Sequence, residues 1–385
     1  MVEYPLRRPE SLSSVNAMMH ERCDAAHCRG MIRTGSRSFF LASHLLPAEL
    51  RHATYGLYAF CREADDAIDG GADPFIALSA FQSRLAAIYS RTLPDSPVDR
   101  ALARIVRAYG LPRELLDALL QGFAWDAQAR SYRDLRGVHC YSVRVAGSVG
   151  IAMALLMGVR DPMLLARAAD LGVAMQLSNI ARDVGEDARA GRIYLPQRWL
   201  REAGIVPAEF LAEPRFTPAL GSVVMRLVDA AEQLYRRADS GIAGLPARCR
   251  PGIYTARRLY AAIGHQVAAR GGDSVSTRAV VPMTRKLRLL GGSLLPPPMR
   301  EEDLNAEPLP QVRYLLRAVK ALPPMTVVRP GDGAEIPRWR RDVNWVLDLF
   351  AELEQRDRRA NPAGFSASAA SEMAGVSAPS AARSA

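Results

Sequence analysis

Residues 171–196 impose the tightest constraint on what this chain can become. Leu171, Ala174, Met175, Ile180 and Ala181 recur at helical spacing. Gln176, Asn179, Asp183 and Asp187 step along the same helix by three, four and four residues and so share one face. Two amides and two carboxylates cannot be packed dry without a partner. Like charges at i, i+4 also destabilise a bare helix, by roughly 0.2–0.5 kcal/mol. Something positive is expected on that face. A hard divalent cation, Mg²⁺ or alternatively Mn²⁺, suits carboxylate and amide oxygens and completes its shell with water and phosphate. A solvated acidic face beside Arg182 and Arg189 is the plainer alternative.

A second ladder weighs against that alternative. In Tyr58-Ala59-Phe60-Cys61-Arg62-Glu63-Ala64-Asp65-Asp66-Ala67-Ile68-Asp69, the residues Tyr58, Arg62, Asp65 and Asp69 again fall on one helical face. One Asp-x-x-x-Asp spacing is common by chance. Two of them, far apart in sequence and each led by polar residues, predict helices that face each other and share divalent ions, which a diphosphate would bridge.

Composition sets the class. The 385 residues are 49% hydrophobic, ample for a core; Ala, Leu and Arg dominate and β-branched runs are few, so an all-α fold is expected. The net charge of +10 admits nucleic acid, anionic lipid or an anionic substrate as partner. No basic block, zinc finger or RNA-recognition motif is present, which argues against nucleic acid. Lipid surface and diphosphate remain, and they are compatible. Five cysteines form no regular framework and suit a reducing cytoplasm; Cys23, His27 and Cys28 lack a second pair and read as incidental. Met1 to Glu10 carries charges with no apolar core after it, so no signal segment is expected. The longest apolar run, Val145 to Val159, is short for a membrane span, and its glycines suit a buried helix. A cytoplasmic protein is expected, with peripheral contact at the inner membrane left open, as is the oligomeric state.

Along the chain, 1–15 reads as a flexible start, 16–300 as one all-α domain, 301–358 as an extension with a terminal helix, and 359–385 as a disordered Ala/Ser-rich tail. Expected helices include Ala17–Arg33, Ala48–Ile68, Phe75–Arg91, Val98–Tyr109, Arg113–Gln128, Ala219–Ile242 and one from Arg250. Asp126 could support the acidic region or cap toward Arg130. Trp339 and Trp345 among arginines suit a membrane interface; a plain helix Arg341–Gln355 packed on the bundle is the equal alternative.

The stretches Ser36–Phe40, Tyr58–Asp69, Tyr141–Gly150 and Gln176–Pro196 together resemble the squalene and phytoene synthase family, over roughly residues 25–290. The Asn-x-x-Arg-Asp-x-x-x-Asp element followed by Arg-x-Tyr-Leu-Pro carries most of that likeness. The resemblance implies a single-domain isoprenoid synthase bundle of helices around a central cavity. It implies metal held by Asp65, Asp69, Asn179, Asp183 and Asp187, with Tyr58 and Tyr141 at the reacting end. It places Ser36, Arg37, Phe39, Arg62, Val145, Gln176, Arg182, Tyr260 and Arg278 on the substrate, and Ala146, Gly147 and Leu177 on dry walls. Read without it, Ser36 is a helix cap, Phe39 and Phe40 are core, and the small residues of Tyr141–Gly150 are tight packing.

The runs Cys-Arg-x-x-Asp, Val-Gly-Glu-Asp-Ala-Arg-x-Gly-Arg-x-Tyr-Leu-Pro and Asp-Ser-Val-Ser-x-Arg-Ala-Val-Val look most like the family's bacterial phytoene-forming members; Asp66 departs from the Glu common in plants. That likeness implies joining of two geranylgeranyl diphosphates through prephytoene diphosphate, with proton loss at the end and no NADPH. Squalene, hydroxysqualene or dehydrosqualene synthesis from farnesyl diphosphate is the alternative within the fold. A non-catalytic binding relative is the alternative outside it, which the four intact aspartates disfavour.

Overall fold

The computed structural model describes residues 12–321, apart from 71–72, 91, 93–94 and 293–296. Of the expected flexible start, residues 1–11 lie outside the described residues, as do Trp339, Trp345, the terminal helix and the Ala/Ser-rich tail, while residues 12–15 are already helical. Among those described, every regular element is helical. The first half runs α1 (Leu12–Gly35), α2 (Arg37–Ser43), α3 (Ala48–Gly70), α4 (Pro74–Tyr89), α5 (Pro97–Tyr109), α6 (Arg113–Ala127) and α7 (Leu135–Ser142). A π-helical turn, Val143–Gly147, joins α7 to α8 (Ser148–Leu156). Then come α9 (Pro162–Arg189), α10 (Gln197–Glu202), α11 (Pro207–Ala212), α12 (Pro218–Gly244) and α13 (Arg250–Ala269). The chain closes with α14 (Met283–Gly292), α15 (Glu301–Asn305) and α16 (Arg313–Lys320).

Four of these helices start the same way. Asp73, Ser96, Asp161 and Thr217 each precede a proline, and each side chain accepts from backbone N–H groups of the first turn. The cap satisfies donors the helix cannot, while proline at the first position loses nothing and presets φ.

Helix α9 is the centre. Leu165, Ala169, Val173, Leu177, Ile180 and Val184 are buried, and α7, α8, the π turn, α12 and α13 pack around it. Two contacts are backbone against backbone: a Cβ at Gly150 would collide with the Ala168 carbonyl, and one at Gly172 with that of Ala146. The small residues of Tyr141–Gly150 thus do what packing alone predicts. They also leave room, because Val145, Ala146, Val149 and Gly150 line a cavity beside α9. The run Leu135–Leu156 is long and apolar enough to cross a membrane, but most of it is buried within the bundle. Helix α15 packs on α9 and α12, and α16 on α9 and α6. Cys28 is buried in the core and Cys23 is exposed, so the two do not share an environment.

Candidate active site

Both acidic ladders emerge at the C-terminal ends of their helices. On α3 the cavity wall runs Thr54, Leu57, Tyr58 and Cys61, and Asp65 and Asp69 follow on the next turns. On α9 it runs Leu164, Ala168, Leu171, Met175, Gln176 and Asn179, and Asp183 and Asp187 follow. The two helices therefore point their C-termini at one mouth. The cavity between them, about 280 Å³, is largely apolar. Leu164 to Asn179 covers ~22 Å at 1.5 Å per residue, enough for a long extended hydrocarbon. Helix C-termini carry partial negative charge, so four aspartates there create a mouth that demands cations.

The electrostatics register that demand. Burial, then the charge of Asp69, pushes the half-exposed Asp65 up to about 6. Burial, then the charge of Asp183, pushes Asp187 up to about 8. Asn179 Oδ1 is buried and has no hydrogen-bond partner. Crowded carboxylates and an orphaned amide oxygen form a donor set that fits a hard divalent cation. Among the described residues, however, no three acidic, His or Cys side chains converge on one point. Each wall presents its own oxygens, and arginines stand among them.

Arg192 Nη2 donates to Asp69 Oδ1 at 2.8 Å. It reaches there because α9 ends in a left-handed Gly191 (φ +76°), after which the Arg192 N–H donates back to the Asp187 carbonyl at 2.8 Å. Glycine adopts that conformation without a Cβ penalty. The backbone N–H groups of Gln197 and Arg198 donate to the carbonyls of Tyr132 and Arg133, pinning the following loop. That loop holds Tyr194, whose hydroxyl donates to Asp126 Oδ1 at 2.7 Å, while Tyr141 donates to Asp126 Oδ2 at 3.0 Å. Asp126 is buried, which lifts it to about 6 against the pull of the two phenols; the charge of Asp65 pushes the same way, and Asp126 in turn raises Asp187. Asp126 thus supports the acidic mouth and does not cap toward Arg130, which lies over the Trp125 ring.

On the other wall Arg182 forks onto Asp183 at 2.7 and 2.6 Å, and Arg278 Nε donates to Asp183 at 2.9 Å. Arg278 arrives on a loop that Asp273 organises by accepting from the Val275 and Ser276 N–H groups. The loop crosses α9 at Gly185, where a Cβ would collide with Val275 and the Ser274 carbonyl. Gly185→Val is therefore expected to lift the loop and lower activity about tenfold or more, the scale of one misplaced charge–charge contact. Activity equal to wild type would show that Arg278 is not needed at the mouth.

The remaining expected residues divide clearly. Phe39, Tyr58, Val145, Gln176 and Tyr260 line the cavity with Asn179. Phe39 stacks on Tyr58 at 6.0 Å, and burial pushes the Tyr58 phenol up to about 12. Ser36 caps α2, accepting from the Phe39 N–H at 3.3 Å, and Phe40 is core. Arg62 holds Asp66 at 2.9 Å and lies 3.5 Å from Asp65. The Arg37 side chain lies outside the described residues. Two expectations are corrected: Gly147 and Leu177 are buried core rather than cavity wall. Tyr141 stacks on Tyr194 at 5.0 Å with its hydroxyl committed to Asp126. Arg192, Tyr194 and Tyr132 were given no role from sequence; the Arg-x-Tyr-Leu-Pro run was the available signal.

A dry channel with one acidic, arginine-rimmed mouth defines a class: a helical protein that takes an anionic head group at the rim and a long hydrocarbon below it. The comparisons agree with that class. Residues 32–285 match the squalene/phytoene synthase family, and the chain belongs to it, an all-α family of prenyltransferases. It is 44% identical to a phytoene synthase of Cereibacter sphaeroides, over 87% of this chain and 95% of that one. It is 48% identical to a phytoene synthase of Rhodobacter capsulatus, over 78% and 91%. Among solved structures, a ligand-bound dehydrosqualene synthase is similar with a TM-score of 0.65 and 29% identity, covering 72% of this chain and 97% of that one.

Proposed function

We propose that this chain joins two molecules of geranylgeranyl diphosphate head to head, through prephytoene diphosphate, to give phytoene. The observation that carries the reading is the pairing of an apolar cavity with two aspartate ladders that Arg192 and Asp126 link at its mouth; relatives named phytoene synthase support the choice of product, and the C20 substrate is what that product would require. Mg²⁺ held by Asp65, Asp69, Asn179, Asp183 and Asp187 would neutralise charge on the departing diphosphate. Arg182, Arg192 and Arg278 already stand on those carboxylates. An arriving diphosphate competes for them, and their release from aspartate frees N–H donors for phosphate oxygens.

Loss of diphosphate leaves an allylic cation, which needs walls that cannot add to it. Val145, Ala146, Val149 and Met175 offer no nucleophile, and the faces of Phe39, Tyr58 and Tyr260 stabilise positive charge through their π electrons. The second molecule's C2=C3 double bond attacks C1 of the cation, and loss of a proton closes a cyclopropane. A second loss of diphosphate rearranges the ring, and loss of a second proton ends the reaction. Two diphosphates and two protons leave in all, so no reductant enters. The phenols are poor bases, Tyr58 at about 12 most plainly, which makes released diphosphate the proton acceptor. The net charge of +10 suits peripheral contact of this cytoplasmic protein with the anionic inner membrane that would receive the product.

The test supplies purified protein with Mg²⁺ and either the C15 or the C20 diphosphate, with and without NADPH, and identifies products by mass spectrometry. Phytoene from the C20 substrate without NADPH is expected. A reduced product that needs NADPH, or turnover of the C15 substrate alone, would replace phytoene with a squalene- or dehydrosqualene-type product. No hydrocarbon with diphosphate still bound would leave a binding protein.

A further inference from the structure

The far end of the cavity holds a charge that the reaction does not use. Arg167 lies four turns before Asp183 on α9, about 24 Å along the axis, and is fully buried at 1% exposure while lining the cavity. Its stem passes beneath Gly241, where a Cβ would collide with the Arg167 Cβ. An arginine stem is apolar and serves as floor; its head needs polar partners elsewhere.

Those partners lie on the segment 300–307, past the end of the family match at residue 285. Arg167 Nη1 donates to the carbonyl of Asp303 at 2.5 Å and lies 3.4 Å from that of Leu304. Its Nε stands 3.0 Å from Asp170, which is itself 3.1 Å from Arg237 Nε. Arg237 Nη2 donates to the Glu307 carbonyl at 2.7 Å, and the Arg300 N–H donates to Ser240 Oγ at 3.0 Å. Backbone carbonyls of one short segment thus receive the heads of two arginines, bridged by a buried aspartate, directly behind the cavity floor. A brace with no consequence for the cavity would need no buried guanidinium in its wall, since hydrophobic side chains of similar volume serve stability as well or better.

We propose that residues 300–307, tied down through Arg167, Asp170 and Arg237, form a brace that fixes the floor of the cavity and so sets the longest prenyl chain the enzyme accepts. Arg167 is a positioning residue here: it touches the tail end of the substrate channel, far from the reacting carbons. The inference rests on the cavity being the prenyl channel. Freeing the brace lets the floor recede, so a substrate one isoprene unit longer gains room while the chemistry at the mouth is untouched.

The experiment compares wild type, Arg167→Met and Ser240→Ala with allylic diphosphates of C15, C20 and C25, recording kcat and KM for each. Arg167→Met keeps an apolar stem and removes the head. The expected result is a rise of about tenfold or more in kcat/KM for C25 relative to C20, the scale of discrimination by a few methylenes. The rise should fall mainly in KM for C25, and the C25-to-C20 ratio rather than the absolute rate on C20 is the readout. Ser240→Ala removes one tie without disturbing the ion pairs and should shift the ratio in the same direction, less far; it decides the matter if Arg167→Met does not fold. An unchanged ratio, or equal loss at every length, would overturn the brace as a length determinant. A wild-type protein that turns over none of the three would overturn the channel reading, and the brace with it.

Discussion

Asp183→Asn is expected to lower turnover about 100- to 1,000-fold, the scale of removing one preorganised electrostatic contact from a transition state, and to leave the fold intact. Asp183 is the junction of one wall: Arg182 grips it with both fork atoms and Arg278 closes on it from the loop after α13. The amide keeps the shape, loses one charge for the metal, and loosens two arginines whose positions depend on that charge. Asp65→Asn should do the same from α3, where burial and Asp69 already push the carboxyl up to about 6. Circular dichroism and product formation at saturating Mg²⁺ separate the two effects. Near wild-type turnover in either variant would remove the acidic mouth from the mechanism.

The second large effect concerns stability without metal. Burial and the neighbouring Asp183 push Asp187 from 3.8 in the unfolded chain to about 8 in the fold. Below pH ~4 the carboxyl is protonated in both states and costs nothing. Between about 4 and 8 the folded protein holds a proton that the unfolded chain has released, so stability falls as pH rises, by up to ~1.4 kcal/mol per pH step. Above about 8 the penalty is complete. Asp65 and Asp126, both raised to about 6, add slopes of the same sign over a narrower range. Asp24, lowered in spite of burial by Arg100 and Arg104, has the opposite slope, confined to pH below about 4.

Asp187→Asn should therefore raise the Tm of chelator-treated protein at pH 8 by a few degrees, at ~1–2 °C per kcal/mol for a chain of this size. It should also flatten the fall in Tm between pH 5 and 8. Millimolar Mg²⁺ should raise the wild-type Tm at pH 8 and do less for the variant. A variant less stable than wild type at pH 8 without metal would mean that Arg192 already neutralises Asp187 and no repulsion is stored there.

How much of this was legible in the sequence follows from the kind of interaction involved. Residues linked by helical periodicity were readable in advance. Gln176, Asn179, Asp183 and Asp187 share a face because 3.6 residues make a turn, and the proline-led caps at Asp73, Ser96, Asp161 and Thr217 are local chemistry. The all-α class followed from composition and patterning, and the family from the two ladders together with the Arg-x-Tyr-Leu-Pro run.

What only the tertiary structure decided lies between segments far apart in sequence. Asp126 could have faced solvent or the acidic mouth until Tyr141 and Tyr194 closed on it from two other elements. Arg192 had no visible purpose until the Gly191 turn carried it back to Asp69, on a helix whose end lies over a hundred positions earlier. Leu177 and Gly147 share the composition of the cavity wall but face the core, because a helix exposes only part of its apolar surface to any one neighbour. Arg167 in the sequence is one arginine among many on an amphipathic helix. Its burial, and its bonds to carbonyls near residue 303, arise because Gly241 admits α12 across it. Periodicity fixes which residues share a face. Which face meets which is set by packing, a property of the assembled chain and of no single stretch.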